Sequence, residues 1–526
     1  MAKEFGKDKF IIGWQIDNEM YPNDCRCPIC TKKFQNWLKE KYVTIENLNK
    51  SWGMERWSLF FTSFDSVILP DAGWNHPSLS SAWDHFMSDS VVEFSNEQVD
   101  IIRQYSNAPV GTDMMPLPDL SFYDTAKKLD ILQFNHYQGE GELYKAAFWF
   151  DYIRAIKNLP YWLTETAIGW NGATQASDCR PINFCYANSW LSYAAGGEMN
   201  LYWHWRAHKN GHELGHGAVL TSSGRKTFKT REIEKLAKEL QKAADFLSDT
   251  EIKPQTALHY SYTASNILKH APIIQGLNYL AQVRDSFYLP LACDNHINMD
   301  VIDHPHSVDG YNYIFSPFLC TLDNYDLRDR MLGWVKSGGT WIVGPSTDIM
   351  NAYSTKYIHA PFGILEDICG LFCAEQLPSA NLSQSMVWYD GTTAEGGVCY
   401  DAFRIADEAN VQSLITYDEG PFKGLSAATE TTYGDGKIIL LGTVLSRESI
   451  KKLIKYLNIE TVKASENVHV INRTGKNTEG IIALELNGRN GYLQLDGEYI
   501  DLISGKKISG KMKLMPYDVK VLCKDN

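Results

Sequence analysis

Two glutamates stand where short apolar runs give out. Glu19 closes "IIGWQIDNEM" (11–20), and Glu165 lies in "YWLTETAIGWNG" (161–172). Two carboxyl groups facing each other across one cleft can cut a glycosidic bond. The protonated one gives its proton to the leaving oxygen, and the ionised one attacks the anomeric carbon when the pair is about 5–5.5 Å apart. Asn18, the amide beside the first acid, suits a hydrogen bond to a sugar 2-hydroxyl that strengthens in the transition state. A single glutamate at a strand end is usually just solvated; two, each in a richer motif, point to chemistry.

Two further patterns suit metals. Cys25, Cys27 and Cys30 put three thiols into six residues, which fits a closed tetrahedral Zn²⁺ site lacking one ligand. Cys179 and Cys185 are the nearby candidates for the fourth position, and water is another. "HELGH" at 212–216 matches the H-E-x-x-H zinc-peptidase signature, in which two histidines one helical turn apart bind zinc and the glutamate is the base. That motif needs a helix, and Gly211, Gly215 and Gly217 in and around it predict a loop. A zinc metallopeptidase is therefore the alternative function.

The elements that position these groups repeat as strand, loop and helix. Strands are expected over 10–19, 109–115, 129–136, 161–165 and 196–205, with helices over 30–42, 83–106 and 143–157. This alternation implies βαβ units and a parallel sheet. Each strand ends in a polar or aromatic cluster: Asn18-Glu19, Thr112-Asp113, Asn135-His136, Thr164-Glu165 and Trp203 to Arg206. In (β/α) barrels the loops at the carboxyl ends of the strands share one mouth, so these groups converge. A closing amphipathic helix over 231–248 should bury a stripe of Ile233, Leu236, Leu240 and Ala244.

Domains are expected at 1–248, 249–462 and 463–526. The second again alternates strands (298–302, 311–316, 338–344, 410–417, 437–443) with helices (324–337, 446–457), an open doubly wound sheet. Cys320 there lacks the glycine-flanked elbow of a nucleophile and reads as a buried thiol. The third has short alternating strands punctuated by Asn-Gly, Asp-Gly and Ser-Gly, the mark of antiparallel hairpins.

Composition narrows the partners. The 526 residues carry a formal net charge of -13 with no compensating basic run, which disfavours nucleic acid. With 15 Trp and 28 Tyr the chain suits a neutral substrate. It has no apolar stretch of about 18 residues and its first ten residues are too polar for a signal sequence, so no membrane association and a cytoplasmic location are expected. Eleven scattered cysteines agree better with free thiols and a metal than with a disulfide framework.

"IIGWQIDNE", "CRCPIC", "NLNKSWG", "LDILQFNHYQG", "YWLTETAIGWNG" and "YWHWRAHKNGHELGHGAVL" together resemble the glycoside hydrolase family 42 β-galactosidases, and the likeness extends over the whole chain. It implies a (β/α)8 barrel, here strands 4–8, then a flavodoxin-like trimerisation domain and a small C-terminal antiparallel β domain. It implies a retaining exo-β-galactosidase acting on small β-galactosides, with Glu19 as acid/base and Glu165 as nucleophile. It also implies Asn18, Trp170, Glu213 and His216 as sugar contacts, structural Zn²⁺ on Cys25, Cys27 and Cys30, and a homotrimer. In such a barrel three β/α units precede the strand of Glu19, whereas nine residues precede it here. The sequence thus reads as amino-terminally truncated, and an inactive fragment serving only as an assembly module is a further alternative. The family's early-strand sugar-binding arginine has no counterpart.

Overall fold

In a computed structural model of the chain, all residues are described except 116, 167, 170–179, 275, 380–381, 408 and 525–526. The first sheet has five parallel strands in sequential order: β1 (Trp14–Asn18), β2 (Val110–Met114), β3 (Gln133–His136), β4 (Tyr161–Thr166) and β5 (Gly197–Asn200). β1 and β5 are its edges. Helices α1 (Pro28–Tyr42), α2 (Pro77–Arg103), α3 (Leu143–Lys157) and α4 (Phe184–Ala194) fall between successive strands, and α5 (Phe228–Asp249) follows the last. All five expected strands form, four of them shorter than expected and the fourth, Tyr161–Thr166, one residue longer than the expected 161–165. The eighth-strand candidate stops at Asn200, and Trp203 to Arg206 continue only through isolated bonds such as Trp203 N–H to Thr166 O at 3.1 Å.

The helices start where local chemistry permits. α1 and α2 each place proline in the first turn, where its missing N–H costs nothing. Phe34, Leu38 and Tyr42, spaced by four, bury one face of α1. α3 is apolar nearly all round, and Leu143 together with Ala146 through Ala155 is buried. Such a helix must be covered on every side. It belongs to the large core cluster that joins the first sheet to the second domain.

α5 forms as expected and packs most of the expected stripe inward, Leu236 fully and Ile233 and Leu240 in part, but its inner face is rotated to take in polar residues. Leu236, Ala243 and Phe246 are buried with Glu232 and Glu239, while Ala244 is exposed. The reason is polar. Glu232 accepts from the Tyr186 N–H at 3.3 Å, and Glu239 accepts from the Tyr186 hydroxyl at 2.5 Å. Those buried donors turn two glutamates toward the core, which an apolar count cannot foresee.

In the second domain β6 (Thr256–His259), β7 (Met299–Ile302), β8 (Tyr313–Ser316), β9 (Thr340–Val343) and β10 (Gly436–Leu441) stand in the order β7-β6-β8-β9-β10, all parallel. This is the flavodoxin-like order 2-1-3-4-5. Antiparallel strands extend it beyond β10, beginning with Ser426–Tyr433 and Val411–Tyr417, an addition the alternating pattern did not indicate. Cys320 is fully buried, as expected. The C-terminal strands form an antiparallel sheet whose Val468–Gly475 strand also pairs with Thr250–Glu251, just after α5.

Candidate active site

Strand register assembles the site. Asn18 lies opposite Asp113 on β1 and β2, and Asn135 lies opposite Glu165 on β3 and β4. The Glu19 N–H donates to Asp113 O at 2.9 Å, so Glu19 takes the next level beyond β1. The backbone is left-handed at Asp17 (φ 50) and Glu19 (φ 46), which ends the strand and turns its side chain over the sheet mouth. Glu19, Asp113 and Glu165 each bring a carboxylate oxygen within 4.8 Å of the others. The two glutamates picked out by sequence thus meet, with a third carboxyl group between them.

Neighbours hold these acids in place. Asn135 Nδ2 donates to Glu19 Oε1 at 2.6 Å and to Asp113 Oδ2 at 2.8 Å. The Thr164 hydroxyl donates to the other Asp113 oxygen, and the Tyr137 hydroxyl donates to Glu165 Oε2 at 2.7 Å. Burial pushes Glu165 up to about 7 against the Tyr137 bond, and nearby Asp113 and Glu19 push the same way. Burial likewise raises Asp113 to about 6 despite its two donors. Like charges in one low-dielectric cleft resist joint ionisation, so Asp113 and Glu165 hold a proton to higher pH than carboxyl groups in water.

The remaining sugar-contact candidates divide. Glu213 and His216 reach the same mouth: Glu213 Oε2 accepts from Trp203 Nε1 and lies against His204 Nε2, each at 3.0 Å. Burial opposes, but these bonds hold the Glu213 carboxyl below its ordinary value. The ring of buried His216 lies 6.1 Å from that of Tyr137, the partner of Glu165. Asn18 is exposed on the edge strand, its Oδ1 taken by Gln15 Nε2 at 3.1 Å. Trp170 lies outside the described residues. Asp113, Asn135 and Tyr137 received no role from the sequence. Their signal is the one that marked the glutamates, a polar group at a strand's carboxyl end.

Cys25, Cys27 and Cys30 bring their sulfurs within 4.8 Å of one another, a donor set that fits a thiophilic cation. Hydrogen bonding, first from the Cys30 N–H, lowers the Cys27 thiol to about 7, whereas the neighbouring thiols raise Cys30 to about 11. Cys185 does not join them. It is buried against Ile168 and Val219, and burial pushes its thiol up to about 12. Cys179 lies outside the described residues. "HELGH" forms turns rather than a helix, with His212 exposed and His216 buried. The metal-capable group of that loop is His204, His208 and Glu213, which uses neither histidine of the motif. The peptidase alternative loses its geometry.

Comparison with known proteins gives two family matches, "Beta-galactosidase" over residues 1–243 and "Beta-galactosidase trimerisation domain" over 254–462. The chain is 28% identical to the β-galactosidase YesZ of Bacillus licheniformis, over 99% of its own length and 80% of that protein. It is also 28% identical to YesZ of Bacillus subtilis, covering 100% of this chain and 81% of the relative. The crystal structure of a β-galactosidase from Bacillus circulans sp. alkalophilus superposes with a TM-score of 0.92 at 23% identity, over 100% of this chain and 80% of that one, a likeness of fold.

Proposed function

The chain belongs to the glycoside hydrolase family 42 β-galactosidases, and from that premise we propose that it removes terminal β-D-galactosyl residues from small β-galactosides with retention of configuration. It is a glycoside hydrolase by kinship. The observation that carries the mechanism is the meeting of Glu19 and Glu165, with oxygens within 4.8 Å. That spacing suits direct attack and leaves no room for the water that an inverting enzyme places between its acids.

In the first step the Glu165 carboxylate bonds to the anomeric carbon while the bond to the aglycone oxygen breaks and that oxygen takes the Glu19 proton. In the second, Glu19 takes a proton from water, whose oxygen displaces Glu165. The Tyr137 hydroxyl holds the attacking oxygen of Glu165. Glu213, oriented by Trp203 and His204, and His216 bind sugar hydroxyls, with Asn18 and Trp170 completing the set.

Cys25, Cys27 and Cys30 would hold zinc as a structural ion that braces the loop after Glu19; catalysis proceeds on the carboxylates alone. The match to a trimerisation domain supports an oligomer, which we take to be a homotrimer. No disulfide joins the ten cysteines among the described residues, and we take the compartment to be a reducing one such as the cytoplasm. Among the described residues no helix is long and apolar enough to cross a membrane.

Glu165→Gly tests the central assignment. Turnover of a chromogenic β-galactoside should fall at least about 10³-fold, and azide should restore it with an α-galactosyl azide as product. Undiminished hydrolysis would remove Glu165 from the mechanism, and an inert parent chain would favour the assembly-module alternative. Elemental analysis should find one zinc per chain, lost in Cys25→Ser; a metal-free parent would refute the zinc assignment.

A further inference from the structure

We infer that Asp113 and Asn135 are positioning residues for the general acid: Asp113 locks the Asn135 amide, and the amide fixes which oxygen of Glu19 carries the proton. This rests on the glycosidase reading of Glu19 given above. Asp113 and Asn135 are both fully buried at the ends of adjacent strands.

An amide nitrogen has two hydrogens and no lone pair to offer. At Asn135 one hydrogen goes to Glu19 Oε1 at 2.6 Å and the other to Asp113 Oδ2 at 2.8 Å. Glu19 Oε1 therefore accepts, and the acidic proton must sit on Oε2, the oxygen left for the aglycone.

An asparagine could bind the other way round, with its carbonyl toward Glu19. Asp113 prevents that. One of its oxygens accepts from the Thr164 hydroxyl and the other faces the amide. A flipped Asn135 would set its carbonyl against a carboxylate in a buried site. Among the described residues Asn135 Oδ1 has no hydrogen-bond partner, which leaves it to meet a sugar hydroxyl.

The Tyr137 hydroxyl is committed to Glu165 and does not compete for Glu19. In the reaction the proton leaves Oε2 for the glycosidic oxygen as the C1–O bond breaks and Glu165 closes on C1. The water step returns it to the same oxygen, so the Asn135 bond need not break in either direction.

The test is Asp113→Asn in the full chain, assayed with two substrates. An alkyl β-galactoside has a poor leaving group and needs the acid, whereas a dinitrophenyl β-galactoside leaves without it. We expect kcat/KM on the alkyl substrate to fall about 100-fold, the lower end of what general acid catalysis supplies. The dinitrophenyl rate should change less than about threefold. Asn135→Ala should show the same leaving-group signature. Equal losses on both substrates, or no loss on either, would overturn the inference while leaving the glycosidase assignment intact. An inert parent chain would overturn that assignment and this one with it.

Discussion

Two groups of buried carboxylates in this molecule have opposite surroundings. At the seam between the first sheet and the second domain, Arg154 donates to Asp151 at 2.6 Å and to Asp300 at 2.7 Å. Its remaining hydrogens go to the carbonyls of Met299 and Ala195. Tyr288 and Tyr311 cap the outer oxygens of the two acids. At the mouth of the sheet, Glu19, Asp113 and Glu165 face one another, and among the described residues an amide and two hydroxyl groups donate to them. The first group has a cation for its acids and joins α3 to β7. The second has none bonded to it among the described residues, and burial raises Asp113 and Glu165. Buried acids around an arginine hold a fold together; acids that face one another in a cleft are set for a proton and a substrate.

Breaking the seam should have the larger effect on stability. Arg154→Met leaves Asp151 and Asp300 buried without their cation and should cost about 3–5 kcal/mol, read as a fall in the urea midpoint. Removing both acids in the same variant should recover much of that loss. If Arg154→Met alone were neutral, the seam would not be the rivet its bonds suggest.

The opposite sign is expected at the mouth. Glu165 titrates near 7 in the folded chain, above its ordinary 4.5. Between those values the folded state holds a proton that the unfolded state has released, so this group's contribution is full below about pH 4.5 and is lost as pH rises through 7. Glu165→Gln removes that penalty. After discounting for its partial exposure, the variant should gain about 1 kcal/mol over the parent at pH 8 and nothing at pH 4 while losing turnover. A gain independent of pH, or a loss like that of Arg154→Met, would place Glu165 among the structural acids.

Much of this contrast was legible in the chain and part was not. Glu19 and Glu165 were visible because strand ends in parallel sheets share one mouth, and strand ends can be read from apolar runs. Asp113 and Asn135 lay at equivalent ends but carried no mark of their own. Their roles depend on which hydrogen faces which oxygen, a matter of ångströms. The polar part of the inward face of α5 was missed for a related reason: Tyr186, far away in sequence, supplies the donors that bury Glu232 and Glu239. The antiparallel extension beyond β10 was missed because alternating runs do not state their pairing direction.

The order of residues determined what could be decided locally. It settled that strands and helices alternate in the first sheet, that the C-terminal strands pair as hairpins, that three thiols crowd one loop, and that "HELGH" with its flanking glycines cannot be a helix. These follow from backbone sterics, proline, glycine and periodicity. Tertiary structure alone decided which acids share a cleft, which has an arginine, and which way an amide points. Electrostatics and hydrogen bonding act through space between residues that the chain holds far apart, so those facts exist only once the strands have been set in register.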